Sequence, residues 1–98
     1  MNVKLSPLAR EDIISILQYT YEKYGETQRL SYEQSIDNTL KMLIETPRLG
    51  RVYGQYRVVS VEKHSVYYIV DNDILHIVRV LHQRMDVRRR LPSHKESS

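Results

Sequence analysis

An α+β architecture follows from where the apolar residues fall along the chain. Between Pro7 and Glu45 they recur at three- and four-residue spacing, the period of amphipathic helices. From Tyr56 to His82 the chain is rich in valine, isoleucine and tyrosine and is broken by short polar turns, the pattern of strands. A helical hairpin packed on one face of a twisted, mainly antiparallel sheet, in the order β-αα-βββ, is the simplest arrangement that buries both sets of apolar residues.

The first strand is expected over Asn2 to Ser6, where Val3 and Leu5 alternate with polar residues. Ser6-Pro7 then reads as a helix N-cap followed by proline at the first helical position, with Glu11 and Asp12 near the first turn, where the helix dipole favours negative charge. The apolar residues of this helix form two neighbouring stripes, Ala9, Ile13, Ile16 and Thr20 on one and Ile14, Leu17, Tyr21 and Tyr24 on the next, and Gly25 is a suitable stop. A second helix is expected from about Glu26 or Thr27 to Glu45, with Leu30, Ile36, Leu40, Leu43 and Ile44 at core-like spacing, ended by Pro47 and Gly50. The short connection makes the pair an antiparallel hairpin. Three strands follow: YRVVSV, SVYYIV after a break at Glu62-Lys63, and ILHIVRVLH after the turn Asp71-Asn72-Asp73.

At 98 residues and 41% hydrophobic, the chain suits one small core, so one domain is expected over residues 1–91, with 92–98 as a frayed polar tail. The absence of cysteine excludes disulfides and thiolate chemistry. No run of about 18 apolar residues is present, and the N-terminus has no export-signal pattern, so a cytoplasmic protein that does not span a membrane is expected. Charge is polarised: residues 1–46 carry five Lys/Arg against seven Asp/Glu, whereas 83–98 carry five against two. Such a field steers an acidic partner or nucleic acid to the C-terminal part, although a basic end can equally be a solvated one.

Histidine acid-base chemistry is the first candidate activity, since His64, His76 and His82 lie in or beside the expected sheet. Strict alternation puts His76 and His82 on the same face as Ile74, Val78 and Val80, roughly 20 Å apart along the strand, too far to share a substrate atom or a metal ion. No metal site or cofactor is expected, and neither QSIDN nor GRVYGQ has the context of a catalytic or phosphate-binding motif. The arginines Arg51, Arg57, Arg79, Arg84, Arg88, Arg89 and Arg90 suit phosphate or carboxylate. Against that, Arg79 has a structural reading as the partner of a carboxylate or carbonyl, and Arg88 to Arg90 as a solvated helical turn. Of Tyr67 and Tyr68, alternation sends one into the core and leaves the other open to stacking on bases.

The stretches LSPLAREDIISILQYT, ETPRLGRVYGQYRVV and KHSVYYIVDNDILHIVRVLHQRMD together resemble the ParE branch of the ParE/RelE toxin superfamily over about residues 3 to 88. RVLHQRMD, similar to that family's RVLHxRMD ending, is the strongest element, joined to the P-x-x-G-R turn and a histidine ahead of the third strand. The resemblance implies a RelE/ParE-like fold and the toxin of a type II toxin-antitoxin module, which poisons DNA gyrase, with or without bound DNA, and is neutralised by a ParD-like antitoxin. Such a toxin is an inhibitor and not an enzyme; a toxin dimer or a heterotetramer with antitoxin is compatible. Toxicity or target contact is assigned to Arg79, Arg84, Arg88, Arg89 and Arg90. Antitoxin contact is assigned to Ile14, Leu17, Tyr21, Tyr32 and Leu40. The alternative within the superfamily is a RelE-type endoribonuclease cutting mRNA on the ribosome, for which His82 and Arg84 are the candidate catalytic residues. A non-toxic binding remnant is a third possibility.

Overall fold

The structure, a computed structural model, describes residues 1–91; the expected polar tail, 92–98, lies outside the described residues. Its elements are β1 (Asn2–Leu5), α1 (Pro7–Tyr24), α2 (Glu26–Glu45), β2 (Arg51–Tyr53), β3 (Tyr56–Val61), β4 (His64–Asp71) and β5 (Ile74–His82), followed by a 3₁₀ turn at Val87–Arg89. The five strands form one sheet in the order β1-β5-β4-β3-β2. Every pairing is antiparallel except that of β1 with β5.

The strand β2 is one more than the residue pattern announces. Arg51–Tyr53 is too short for alternation to show, and it becomes a strand by pairing with β3 across the Gly54-Gln55 turn, where Gly54 adopts φ +59°. Likewise, no local pattern pairs the first strand with the last. Register Asn2↔Ile74 through Leu5↔Ile77 brings the beginning of the chain beside its end and leaves β5 without a strand neighbour on that side beyond Ile77.

Helix α1 begins as expected: the Ser6 hydroxyl accepts a hydrogen bond from the Ala9 N–H (2.9 Å) and donates one to the Val78 carbonyl (2.7 Å), so the cap also ties the helix to β5. Because the helix starts at Pro7, Glu11 and Asp12 fall beyond the first turn, and the dipole role expected for them is not what Asp12 performs. The hairpin joint is a single residue. Gly25, at φ 92° and ψ 178°, closes α1 through its N–H to the Tyr21 carbonyl and opens α2, in a backbone region open essentially to glycine alone.

Ala9, Ile16, Ile36 and Leu43 from the hairpin meet Val61, Val66, Tyr68, Leu75, Ile77 and Val80 from the sheet to form the main core. Of the two expected stripes of α1, the one with Ala9, Ile16 and Thr20 is buried, and Leu17 of the other also packs against this core. On α2, however, Ile36, Thr39 and Leu43 turn inward, which rotates Leu30 and Ile44 outward to 51% and 38% exposure. The Tyr68 hydroxyl donates to the Pro47 carbonyl (2.7 Å) and accepts from the Gly50 N–H (2.9 Å). A Cβ at Gly50 would sit 2.7 Å from that hydroxyl oxygen and 2.9 Å from the Val58 carbonyl oxygen, so the close approach requires glycine.

Both tyrosines of the YY pair are buried, not one. Tyr67 belongs to a second cluster on the helix-free face with Val58 and Leu81, against which Tyr53, Val87 and Leu91 pack. The C-terminal segment folds back over the sheet and covers it, which alternation within one strand cannot reveal.

The pairing of β4 with β5 shifts between Tyr67↔Arg79 and Tyr68↔Ile77, leaving Val78 as an extra residue, a β-bulge. Leu75 and Ile77 before it, and Val80 after it, all enter the helix-side core. His76, between Leu75 and Ile77, therefore faces the helix-free side, whereas His82 shares the parity of Val80. The expectation that His76 and His82 share a face fails at this bulge.

Candidate functional site

Three places bring together residues with chemical or binding potential: the basic C-terminal segment, a tyrosine-histidine cluster at the end of the sheet, and the outer face of the helical hairpin.

The basic segment leaves β5 through hydrogen bonds that fix its start. The Gln83 N–H donates to the Lys63 carbonyl (3.0 Å), the Met85 N–H to the His82 carbonyl (3.0 Å), and the Arg84 N–H to Nδ1 of His82 (3.1 Å). Asp86 then caps the 3₁₀ turn, its carboxylate accepting from the Arg88 N–H at 3.2 Å. Val87 and Leu91 point into the helix-free cluster, which leaves Arg88, Arg89 and Arg90 exposed. The side chains of Arg88 and Arg89 are 83% and 87% exposed and lie 3.4 and 3.9 Å from Asp86. Ion pairs so open to solvent contribute little, so these guanidinium groups stay available to a partner.

Arg79 is differently placed. Its Nε and Nη2 donate to the two carboxylate oxygens of Asp12, each at 2.8 Å, and Nη1 donates to the Arg90 carbonyl at 3.0 Å. Both side chains of the pair are only 14% exposed. The carboxylate beside it raises the guanidinium pKa further, against an opposing effect of burial. Arg79 thus takes up both a carboxylate and a carbonyl and has no fork left for a target phosphate. Arg57 is also structural, donating to the Gly50 carbonyl at 2.8 Å, while Arg51 and Arg84 are exposed.

In the second place, His64 and His82 are cross-strand partners. Their rings meet edge to face, centroids 5.2 Å apart, and Tyr32 of α2 contacts His64 in the same manner while its hydroxyl is hydrogen-bonded to His64 Nδ1. The Tyr32 hydroxyl also accepts from the Lys63 N–H (3.3 Å), clamping α2 onto the β3–β4 turn. Burial, then the neighbouring His82, lowers the His64 pKa to about 4, with Asp12 acting weakly in the other direction. An open cavity of about 730 Å³ between hairpin and sheet is lined by Ile16, Tyr19, Tyr24, Tyr32, His64 and His82. For the ribonuclease candidates, the contact of His82 with Arg84 is to the backbone N–H and not to the guanidinium. Among the described residues, no three His, Asp or Glu side chains come together as a metal site would need.

On the hairpin, Ile14 and Tyr21 are 57% and 53% exposed. Leu17, Tyr32 and Leu40, assigned to the same contact from the sequence, are half-buried against the core. Reading by pattern missed the role of Asp12 as the partner of Arg79, and, although it named His64 among the candidate histidines, it missed the contact of His64 with Tyr32. For Asp12 a sign was present, since it flanks the stripe of Ala9 and Ile16, where an uncompensated carboxylate would be costly.

The family model described as the ParE toxin of the type II toxin-antitoxin system parDE matches residues 3–87. The chain belongs to the ParE toxin family. Among ParE relatives, Toxin ParE1 of Mycobacterium tuberculosis is 35% identical over 92 residues, covering 89% of this chain and 94% of its own. Toxin ParE1 of Caulobacter vibrioides is 32% identical over 92 residues, covering 90% and 95%. A chain in the structure of the chromosomal ParDE system from P. aeruginosa shares the fold, with a TM-score of 0.73 at 20% identity over 84% of this chain and 95% of that one. The ParE match takes in Asp12, Arg79, His82 and Arg84 and stops at Val87, immediately before the exposed triple arginine.

Proposed function

We propose that this ParE-family chain poisons DNA gyrase in the cytoplasm through its basic C-terminal segment and is neutralised by a ParD-like antitoxin laid along the hairpin. The observation that carries the reading is the separation of two surfaces. Arg88 to Arg90 project from a segment packed on the helix-free face of the sheet, whereas Ile14 and Tyr21 offer exposed apolar surface on the helical side. A cluster of guanidinium groups suits phosphates or acidic side chains of a target, and an apolar helix face suits an amphipathic segment. Arg84, exposed where the segment begins, belongs to the first surface, and half-buried Leu17 and Leu40 form the floor of the second. The ribonuclease alternative has less support, because His82 is engaged with His64 and with a backbone N–H. No helix among the described residues is long and apolar enough to cross a membrane.

Purified toxin freed of antitoxin is expected to inhibit gyrase supercoiling and to accumulate cleaved DNA, while leaving ribosome-bound mRNA intact. Codon-specific mRNA cutting with normal supercoiling would overturn the proposal.

A further inference from the structure

We propose that Asp12, on the first helix, is a positioning residue that holds the basic C-terminal segment in place through Arg79. The inference rests on the reading of that segment as the gyrase-contacting surface. It adds a residue of the opposite sheet face that touches no part of that surface itself.

The argument begins at the edge of the sheet. Because β1 pairs only as far as Leu5↔Ile77, the N–H of Val80 on β5 has no strand to receive it, and Asp12 Oδ2 accepts it at 3.0 Å. The same carboxylate takes the bidentate fork of Arg79 at 2.8 Å on each oxygen. Asp12 comes from α1, on the helix side. The carbonyl that Arg79 Nη1 reaches at 3.0 Å is that of Arg90, on the helix-free side, where Leu91 packs with Val58, Tyr67 and Leu81. One guanidinium therefore straddles the open edge of β5 and links the two faces of the sheet.

A planar fork can do this, whereas a point charge cannot, since holding Asp12 uses two of its nitrogens in one fixed direction and leaves the third aimed across the edge. The start of the segment is fixed by the hydrogen bonds of Gln83, Arg84 and Met85, but beyond Asp86 it is held against the sheet by the packing of Val87 and Leu91, while the exposed Asp86 ion pairs contribute little. Without the carboxylate, nothing fixes the direction of the guanidinium plane, so Nη1 is no longer held against the Arg90 carbonyl and the side chain can swing towards water.

The test uses the full chain with Asp12→Asn and, separately, Arg79→Lys, which keeps the positive charge but lacks the fork. Limited trypsin digestion followed by mass spectrometry measures cleavage at Arg88, Arg89 and Arg90, alongside thermal unfolding and gyrase inhibition. Expected is cleavage there about tenfold faster in both variants, as local opening becomes more populated, with other sites still protected and gyrase inhibition weakened. If Asp12→Asn unfolds before local cleavage can be read, Arg79→Lys carries the test, since it retains a cation opposite Asp12. Cleavage at the wild-type rate in a folded variant overturns the positioning role. Faster cleavage with undiminished gyrase inhibition supports the positioning role and overturns the reading of the segment as the gyrase contact.

Discussion

His64 shows how one residue's environment sets its protonation. Burial, with His82 beside it, lowers its pKa from about 6.5 to about 4, so the ring is neutral at physiological pH. In the unfolded chain it takes up a proton near 6.5. Between those two values the unfolded state binds more protons, and stability falls as the pH falls; above about 6.5 the contribution of His64 is fully present. Thermal unfolding followed from pH 7 down to pH 5 is therefore expected to show a declining midpoint, and His64→Gln should flatten that decline. Identical slopes in the two proteins would assign the acid sensitivity to other groups. Tyr32 is bound into the same cluster, so its hydroxyl serves to clamp α2 to the sheet.

At the scale of elements, α1 serves two surfaces because its apolar residues cover more than one stripe. Ala9, Ile16 and Thr20 face the sheet, which leaves Ile14 and Tyr21 on the outside. A charge at Ile14 should cost the fold little, since the position is more than half exposed, yet it would place a carboxylate in the apolar contact proposed for the antitoxin. Ile14→Asp is expected to weaken antitoxin binding about tenfold or more by titration calorimetry, with an unchanged circular dichroism spectrum. Unchanged affinity would move the interface off this helix. The β5 bulge has a comparable effect on the other side: one extra residue, Val78, separates the surroundings of His76 from those of His82.

For the whole molecule, the charge asymmetry along the chain becomes an asymmetry in space, with acidic residues concentrated in the helical layer and the triple arginine carried across the far side of the sheet. Replacing Arg88, Arg89 and Arg90 together by alanine is expected to reduce gyrase inhibition at least about tenfold while antitoxin affinity survives, with the wild-type inhibition itself weakening as salt is raised. Should antitoxin affinity collapse instead and inhibition persist, the basic segment would belong to the antitoxin interface.

The residue pattern was enough to establish the α+β class, the two apolar stripes of α1, its Ser6 cap and the helix stop at Gly25, because these depend on spacing within one element and on the conformational range of one residue. The charge of the C-terminal segment was equally plain, since composition does not depend on folding. What only the tertiary structure decided is everything settled by a distant partner: β2 exists through its pairing with β3, β1 lies parallel to β5, and Tyr67 is buried by a segment that returns over it. Among the candidate site residues the same division holds. Arg88 to Arg90 are exposed as a solvated turn would be, but Arg79 differs from them because Asp12, 67 positions away, reaches it around an open sheet edge, a contact that no local pattern encodes.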